Sequence, residues 1–306
     1  MIKNSIIKKH FAILALSMSA VMFTHTACAK DPAVKEPTII MTTKASEVNF
    51  EIKIKAGADK SGNLTIDWGD GKKGNVTDAI SNDDGSFQFS REYSGKSEYR
   101  ITITGDNIVS LSCGHNQLTA LDVSRNTALT TLSCSDNQLT ALNVSGNAAL
   151  IGLSCSYNQL AALDVSKNTA LTSLSCNSNQ LAALDVSRNT SLIFLNCRAN
   201  QLTALDVSMN TAIESLEACR NQITKLDVSP NSALRVICCK DNQLTTSALN
   251  DLFGSLPYIP KGTWASINFG GTPPNHNPGA LDCERSIAEG KGWVFDQLHG
   301  SNAYSD

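Results

Sequence analysis

The chain has 306 residues, a charged fraction of 17% and a formal net charge of -3 at pH 7. That length allows one large domain or two to three modest ones. Nucleic-acid binding needs a clustered basic face, which this charge balance does not offer, so no nucleic-acid partner is predicted.

Residues 1–27 have the pattern of an export signal. A lysine-rich start precedes an apolar run over residues 11–23, which is too short to span a bilayer as a mature helix. Cys28 follows two small residues, and this arrangement resembles the lipobox of bacterial lipoproteins, whose cysteine is lipidated after cleavage. The resemblance implies a lipid anchor at Cys28, a polar linker over 28–36, and an exported protein at the outer membrane or cell surface, with a periplasm-facing orientation left open. The residues before the small pair fit the lipobox poorly, so ordinary signal cleavage is the alternative.

Residues 37–105 show no long repeat and are typical of a small β-sandwich. Segments that alternate apolar and polar residues, as half-buried strands do, are separated by glycine and aspartate turn signals; they cover residues 48–54, 64–68, 87–89 and 99–105. The turn Asp67-Trp-Gly-Asp70-Gly71, followed by a late aromatic strand, resembles a polycystic-kidney-disease-type (PKD) Ig-like module. That resemblance implies a spacer or docking domain of extracellular proteins. We expect the two aspartates to hold a tight turn, with a cation site as the alternative.

Residues 106–245 repeat with a period of 21 residues. Two asparagine series mark the period, one at positions 116, 137, 158, 179, 200, 221 and 242, the other at 126, 147, 168, 189, 210 and 231. A fixed period of this length is typical of a solenoid, in which stacked coils complete a core that one coil cannot form alone. Asparagine suits the corners because it tolerates left-handed backbone. Stacked amides are also expected to bond to one another along the solenoid.

The first half of each coil carries a recognisable signature. In one coil it reads Leu129-Thr-Thr-Leu132-Ser-Cys134-Ser-Asp-Asn137-Gln-Leu139, which matches L-x-x-L-x-L-x-x-N-x-L with cysteine in the third leucine place. This resembles the leucine-rich repeat, and the match recurs in seven coils. Residues 142–147 nearly copy the first half, so we expect a second short strand at the back of each coil and a flat, two-sheeted rod.

The cysteines follow the repeat. One inward position between leucines holds Ala218 in the sixth coil and cysteine in the others, at 113, 134, 155, 176, 197 and 239. A position that accepts alanine favours a small apolar side chain, so these cysteines are expected to be structural, and no metal site is predicted. Cys219 and Cys238 lie on the outward face of neighbouring coils. We expect them to be unpaired, because side-by-side strand positions give awkward disulfide geometry, with a disulfide as the alternative.

An outward aspartate recurs in the second half of the coil, at positions 122, 164, 185, 206 and 227. Stacked carboxylates repel one another, so each needs compensation. We expect hydrogen bonds to the serine two places on or to backbone amides, with bound calcium as the alternative.

Residues 246–306 break the repeat and are expected to cap the solenoid. One apolar helical face is formed by Leu249, Leu252, Phe253 and Leu256. We expect Thr246 or Ser247 to cap this helix and Asp282 to cap a second, shorter one. The front sheet is expected to continue through residues 264–269 and 293–295. At the other end, the seam between the β region and the first coil is expected to act as a cap.

The outward positions of the first strand vary between coils, whereas the inward and corner positions barely change. Core positions must match for stacking, but an outer face is free to be tuned for contact. Aromatic residues and arginine are favoured in interfaces. We therefore predict that this face binds a partner, with neutral drift as the alternative; the predicted contact residues are Tyr157, Phe194, Arg198, Glu217, Arg220 and Lys240.

The sequence thus predicts a mainly β chain: a leucine-rich repeat solenoid preceded by a small Ig/PKD-like β-sandwich and followed by an α/β C-terminal cap. None of the motifs of common catalytic sites occurs, so we predict neither catalysis nor a cofactor. The leucine-rich repeat resemblance implies protein–protein recognition or adhesion at a host or neighbouring cell. The alternatives are a carbohydrate-handling accessory lipoprotein and a structural spacer.

Overall fold

A computed structural model describes residues 37–55, 64–83, 85–95, 97–270 and 276–295. These residues belong to one compact unit that spans residues 36–306. The predicted signal segment, the linker and the lipidation site at Cys28 lie outside the described residues. The predicted fold class is confirmed, because the chain is mainly β and stacks its 21-residue repeats as a solenoid.

In the described residues, seven strands and one 3-10 turn precede the solenoid, and the strands lie in two sheets. The strands are β1 (Thr38–Thr43), β2 (Glu47–Ile54), β3 (Thr65–Asp67), β4 (Lys73–Asn75), β5 (Ile80–Ser81), β6 (Ser86–Glu92) and β7 (Tyr99–Thr104), and the 3-10 turn is Val76–Asp78. All four alternating segments form strands, whereas β1, β4 and β5 were not predicted. Strand β1 is an inner strand of its sheet, between β7 and β9. Its partly exposed face carries the apolar Ile40 between the buried Ile39 and Met41, so its sequence does not alternate.

The turn between β3 and β4 depends on two aspartates, as expected. Asp67 Oδ1 accepts a hydrogen bond from the Gly69 amide at 3.0 Å, and Asp70 Oδ1 accepts one from the Lys72 amide at 3.0 Å. Arg91 Nε donates to Asp70 Oδ2 at 3.1 Å. The turn interpretation of these residues is therefore confirmed, while membership of the PKD family stays a prediction.

The front of the solenoid is a parallel sheet with one strand from each of seven coils. These strands are β8 (Ile108–Ser112), β10 (Thr131–Ser133), β11 (Gly152–Ser154), β12 (Ser173–Ser175), β13 (Phe194–Asn196), β14 (Ser215–Glu217) and β15 (Val236–Cys238), and we number coils 1 to 7 by them. Each strand pairs with the next at a register offset of one repeat, for example Leu132 beside Leu153. Strand alternation sends the central leucine into the core and the residues on either side of it outward.

The interior consists of columns of apolar side chains, and each coil contributes one side chain to each column from the same repeat position. The leucine, cysteine and valine positions of the repeat are buried in every coil, for example Leu153, Cys155 and Val165 in coil 3. Burial raises the pKa of Cys113 and Cys239 to about 12 and raises the pKa values of the other cysteines of this column well above the ordinary thiol value. The thiols are therefore neutral packing groups, and the predicted structural role of this column is confirmed.

The asparagine corners bind backbone groups and not one another, which corrects the expected amide ladder. In coil 3, Asn158 Nδ2 donates to the carbonyls of Cys134, Cys155 and Ser156 at 3.0–3.1 Å. Its Oδ1 accepts from the Leu139 amide of the preceding coil at 3.0 Å. The side-chain amide of each front asparagine thus joins two coils through their main chains. This is possible because the backbone of every coil directs equivalent carbonyl and amide groups toward the corner.

The back of the coil is a strand only in coil 1, so the predicted second strand of every coil is wrong. That strand is β9 (Leu118–Asp122), and beyond it an isolated bridge joins Asp122 to Asn143. In later coils the same segment forms no strand, although the turn that follows it is present in coil 1 and coil 3 alike: the Asn126 amide donates to the Val123 carbonyl and the Asn168 amide to the Val165 carbonyl, both at 2.9 Å. Strand β9 differs from the later back segments because it pairs with β1, and among the described residues no N-terminal strand reaches the back of any later coil.

Both ends of the solenoid are capped. Strand β2 pairs antiparallel with β8, and β1 pairs antiparallel with β9, so the two N-terminal sheets cover the front and back of coil 1, as expected. At the other end, β16 (Ser266–Asn268) and β17 (Val294–Phe295) extend the front sheet, as predicted. Helices α1 (Thr246–Ser255) and α2 (Arg285–Glu289) belong to the same C-terminal cap.

The helix caps differ in detail from those expected. Thr245 caps α1, its hydroxyl accepting a hydrogen bond from the Ala248 amide, so the cap lies one residue before the predicted position. The predicted cap at Asp282 is wrong, because α2 begins at Arg285 and its N-cap, Glu284, makes no side-chain capping bond. Among the described residues, no helix is long and apolar enough to cross a membrane.

Candidate functional site

The outward side chains of the front sheet change character along the solenoid. We call this surface the front face; it comprises the outward residues of the front strands and the two residues after the inward cysteine position. In coils 1 to 4 the strand positions are small or hydroxylated, namely Ser110, Ser112, Thr131, Ser133, Gly152, Ser154, Ser173 and Ser175. In coils 5 to 7 they include an aromatic ring, a carboxylate and longer side chains, namely Phe194, Asn196, Glu217 and Val236.

Four of the predicted contact residues meet on coils 5 to 7. Phe194 is half-buried on β13, and Glu217 on β14 lies between Asn196 and Cys238 in the strand register. Arg198 and Lys240 occupy equivalent positions one coil before and one coil after Cys219. Burial raises the pKa of the Glu217 carboxyl above its ordinary value, while the positive charges of Arg198 and Lys240 oppose that rise. The result is a carboxylate flanked by two cations on a flat sheet face.

The other two predicted residues lie at the corner that follows the front strand. Tyr157 and Arg220 have left-handed backbone, with φ of 52° and 54°, as do the equivalent residues of the other coils, none of which is glycine. This region is unfavourable for bulky side chains. Arg220 Nε lies 3.7 Å from Asp241 Oδ2, close to the coil 5 to 7 cluster. Tyr157 is 56% exposed on coil 3, about 10 Å from coil 5 at the usual strand spacing, so it stands apart from the cluster.

Sequence reasoning missed a covalent link at the centre of this cluster. Cys219 and Cys238 form a disulfide with a Cα–Cα distance of 5.4 Å, and both are buried. The expectation that they are unpaired is therefore wrong. Their separation is 19 residues and not 21, so they are diagonal neighbours on adjacent coils and not directly opposite residues. The departure from the repeat period was the signal that could have revealed the bond.

The aspartates at the back of the coils are compensated locally, as expected. In coil 4, Asp185 Oδ1 accepts a hydrogen bond from the Ser187 amide at 2.9 Å, and the same contact recurs along the solenoid. Hydrogen bonds from the serine side chain and amide lower the pKa of Asp164 and Asp185. These carboxylates are therefore turn-forming groups that remain ionised at neutral pH.

Comparison with known proteins identifies similar solved structures only. No protein-family model and no curated protein matches the chain. The functional domain of InlJ from Listeria monocytogenes, described as including a cysteine ladder, is 36% identical over 60% of this chain and 41% of that chain, with a TM-score of 0.48. A leucine-rich repeat protein of Leptospira interrogans is 21% identical over 61% of this chain and 53% of that chain, with a TM-score of 0.48. An internalin, InlF, from Listeria monocytogenes is 22% identical over 54% of this chain and 49% of that chain, with a TM-score of 0.46. The chain thus spans about half the length of these structures.

Proposed function

We propose that this protein binds a protein ligand through the front face of coils 5 to 7. The observation that carries the proposal is the contrast within one chain between coil-building positions, which stay the same, and the front face, which changes. The core and the corners require leucine, cysteine and asparagine for stacking, but stacking places no such demand on Phe194, Arg198 or Lys240. Solenoids present extended surfaces of this kind to their ligands.

The chemistry of the cluster favours a protein ligand. Phe194 offers an apolar contact, and Arg198 and Arg220 offer planar groups that bind carboxylates through paired hydrogen bonds. Aromatic residues and arginines dominate the energetics of protein interfaces. The serine-lined face of coils 1 to 4 offers no comparable anchor, so the proposal places the binding energy toward the C-terminal end of the solenoid, with Tyr157 as an outlying contact.

We also propose that the chain acts outside the cytoplasm, held by a lipid on Cys28. The basic and apolar start of the chain and the cysteine after two small residues support this. Metabolic labelling with a palmitate analogue tests it: the native chain should be labelled and Cys28→Ala should not. Equal labelling of the two chains, or labelling of neither, would contradict the anchor.

The binding proposal is tested by capturing proteins from cell-surface extracts with the purified chain and then measuring the affinity of the captured protein. Phe194→Ala and Arg198→Ala should each weaken binding roughly 30-fold, the usual effect of removing an interface anchor of about 2 kcal/mol. Arg188→Ala is the matched control, because Arg188 is an exposed arginine at the back of coil 4. Unchanged affinity in both front-face variants, or an equal loss in the control, would refute the proposal.

A further inference from the structure

Three potential metal ligands meet on the front face of coils 6 and 7. One carboxylate oxygen of Glu217 and the sulfurs of Cys219 and Cys238 all lie within 4.8 Å of one another. The parallel register causes this arrangement, because Glu217 pairs directly with Cys238 and Cys219 follows two residues later on the same side of its chain. The strand register therefore brings the backbone positions of the three residues together.

The distance between the carboxylate and the nearer sulfur fits a tetrahedral cation, and the two sulfurs, which are bonded to each other in the disulfide, separate once that bond is reduced. Zinc binds thiolates at about 2.3 Å and carboxylates at about 2.0–2.2 Å, so ligands at tetrahedral angles stand roughly 3.6 Å apart for sulfur and oxygen and roughly 3.7 Å apart for two sulfurs. Glu217 Oε2 lies 3.5 Å from Cys219 Sγ. Because a disulfide sulfur has no proton to donate, this contact is a placement of the carboxylate beside the sulfur and not a hydrogen bond.

We infer that reduction of the Cys219–Cys238 disulfide converts this cluster into a binding site for a thiophilic divalent cation such as Zn²⁺. The two thiolates and the Glu217 carboxylate would be its protein ligands. The proposal concerns the chain alone and stands whether or not the front face binds a protein.

The cluster becomes a metal site in two steps, a thiol–disulfide exchange with a reductant and then the loss of two thiol protons. A dithiol reductant transfers two electrons and two protons to the disulfide: the bond between the sulfurs breaks, two thiols form, and the reductant becomes a disulfide. The cation then displaces both thiol protons into solvent and binds two thiolates and one carboxylate. Three protein ligands leave a fourth position for water, as in zinc sites that are not purely structural.

The surroundings favour this site over the other cysteines. Arg198 and Lys240 place positive charge near Glu217, and cationic neighbours stabilise thiolates. Glu217 keeps part of its surface exposed, which gives the cation a route from solvent. The interior cysteine column lacks both features, because its thiols are buried and burial raises their pKa values well above the ordinary thiol value.

The test uses the full chain, reduced under anaerobic conditions and titrated with Co²⁺ as a spectroscopic probe and with Zn²⁺ in competition with a chromophoric chelator. We expect uptake of a single equivalent, with thiolate-to-cobalt charge transfer and tetrahedral d–d absorption. The oxidised chain should bind no metal at this position. Absence of uptake by the reduced chain would overturn the inference.

Variants separate the cluster from adventitious binding. The double change Cys219→Ala and Cys238→Ala should abolish uptake, and Glu217→Gln should weaken Zn²⁺ binding by at least about tenfold. Glu214→Gln is the matched control, because Glu214 is an exposed carboxylate just before the same strand. Small side chains occupy both positions in some other coils, namely Gly114 and Ser135 for Cys219 and Ser154 and Ser175 for Cys238, so the alanine variants should fold, which circular dichroism verifies. Retention of uptake by the double variant would also overturn the inference.

Discussion

The front and the back of each coil have nearly the same apolar spacing, but they are joined to their neighbours differently. At the front, a ladder of backbone hydrogen bonds runs through every coil. The corner asparagines there donate through Nδ2 and accept through Oδ1 in hydrogen bonds to the preceding coil, as Asn158 does. At the back, beyond coil 1, each asparagine uses only its nitrogen, and its buried Oδ1 has no partner among the described residues. The front therefore determines how coils stack, and the back closes each coil with a turn.

The largest expected effect is unfolding at alkaline pH, because the buried free thiols of the described residues all lie in the front half of the coils. The unfolded chain releases thiol protons above about pH 9, whereas burial raises the pKa of Cys113 and Cys239 to about 12 and that of Cys134 well above its ordinary value. The folded pKa of each thiol is higher than its unfolded pKa. Between these two pKa values, the free energy of unfolding falls by about 1.4 kcal/mol per pH unit for each thiol. We expect cooperative unfolding between about pH 9 and 12, measured by circular dichroism.

One substitution isolates the contribution of the thiols from other alkaline titrations. Cys176→Ala removes one titrating group, and alanine already occupies the equivalent position at Ala218. The slope of unfolding free energy against pH above about 9 should become shallower by about 1.4 kcal/mol per pH unit. An identical slope in the two proteins would show that the buried thiols do not drive the transition.

The next largest effect is expected from a front corner. Asn158→Ala leaves the buried Leu139 amide without its acceptor, because Asn158 Oδ1 is the partner that the fold provides for it. An orphaned buried donor and the lost bonds to neighbouring carbonyls together cost about 3 kcal/mol. Urea denaturation should show a lower midpoint with an unchanged slope, and a loss below about 1 kcal/mol would mean that the front amides do not join the coils.

The matched change at the back should cost less. Asn168→Ala removes hydrogen bonds to the carbonyls of Val144 and Asn147, but backbone amides still donate to both of these carbonyls. The substitution also removes a buried oxygen that has no partner. We expect a loss of about 1 kcal/mol in the same urea experiment. A loss equal to that of Asn158→Ala would erase the distinction between front and back.

The same comparison explains how far the sequence could predict this fold. Leucine, cysteine and asparagine positions recur with a single period, so the solenoid, its front strands and its core columns follow from spacing alone. The back strands did not follow, because the back segment becomes a strand in coil 1 through pairing with β1, and apolar spacing within a coil does not specify which segments have such a partner. Strand β1 was missed because its partly exposed face carries the apolar Ile40 between the buried Ile39 and Met41, so the sequence does not alternate although the burial does.

The candidate site shows a similar division. The residues of the front face could be named from their variation, because outward positions follow directly from strand periodicity. Their grouping could not, since it depends on the left-handed corner that carries Arg220 and on the diagonal contact between Cys219 and Cys238. Cys219 lies two residues beyond Glu217, the register partner of Cys238, and strand periodicity alone does not specify which diagonal neighbours make contact.

The smallest expected effect concerns the aspartates that hold the back turns. Bonds from Ser187 lower the pKa of Asp185, so the stability it contributes is present above its unfolded value near 3.8 and is lost as pH falls through the folded value. Asp185 is exposed, and solvent screening limits this contribution to less than about 1 kcal/mol. Asp185→Asn should barely change the free energy of unfolding at pH 7. Asn143 occupies the equivalent position in coil 2, and it accepts a hydrogen bond from the equivalent serine amide, that of Ser145. Below about pH 4 the variant should lose less stability than the parent in urea titrations, since an amide does not titrate. If the two proteins instead lost stability equally, the ionised carboxylate would have no role in the turn, and the back of the coil would depend on asparagine and packing alone.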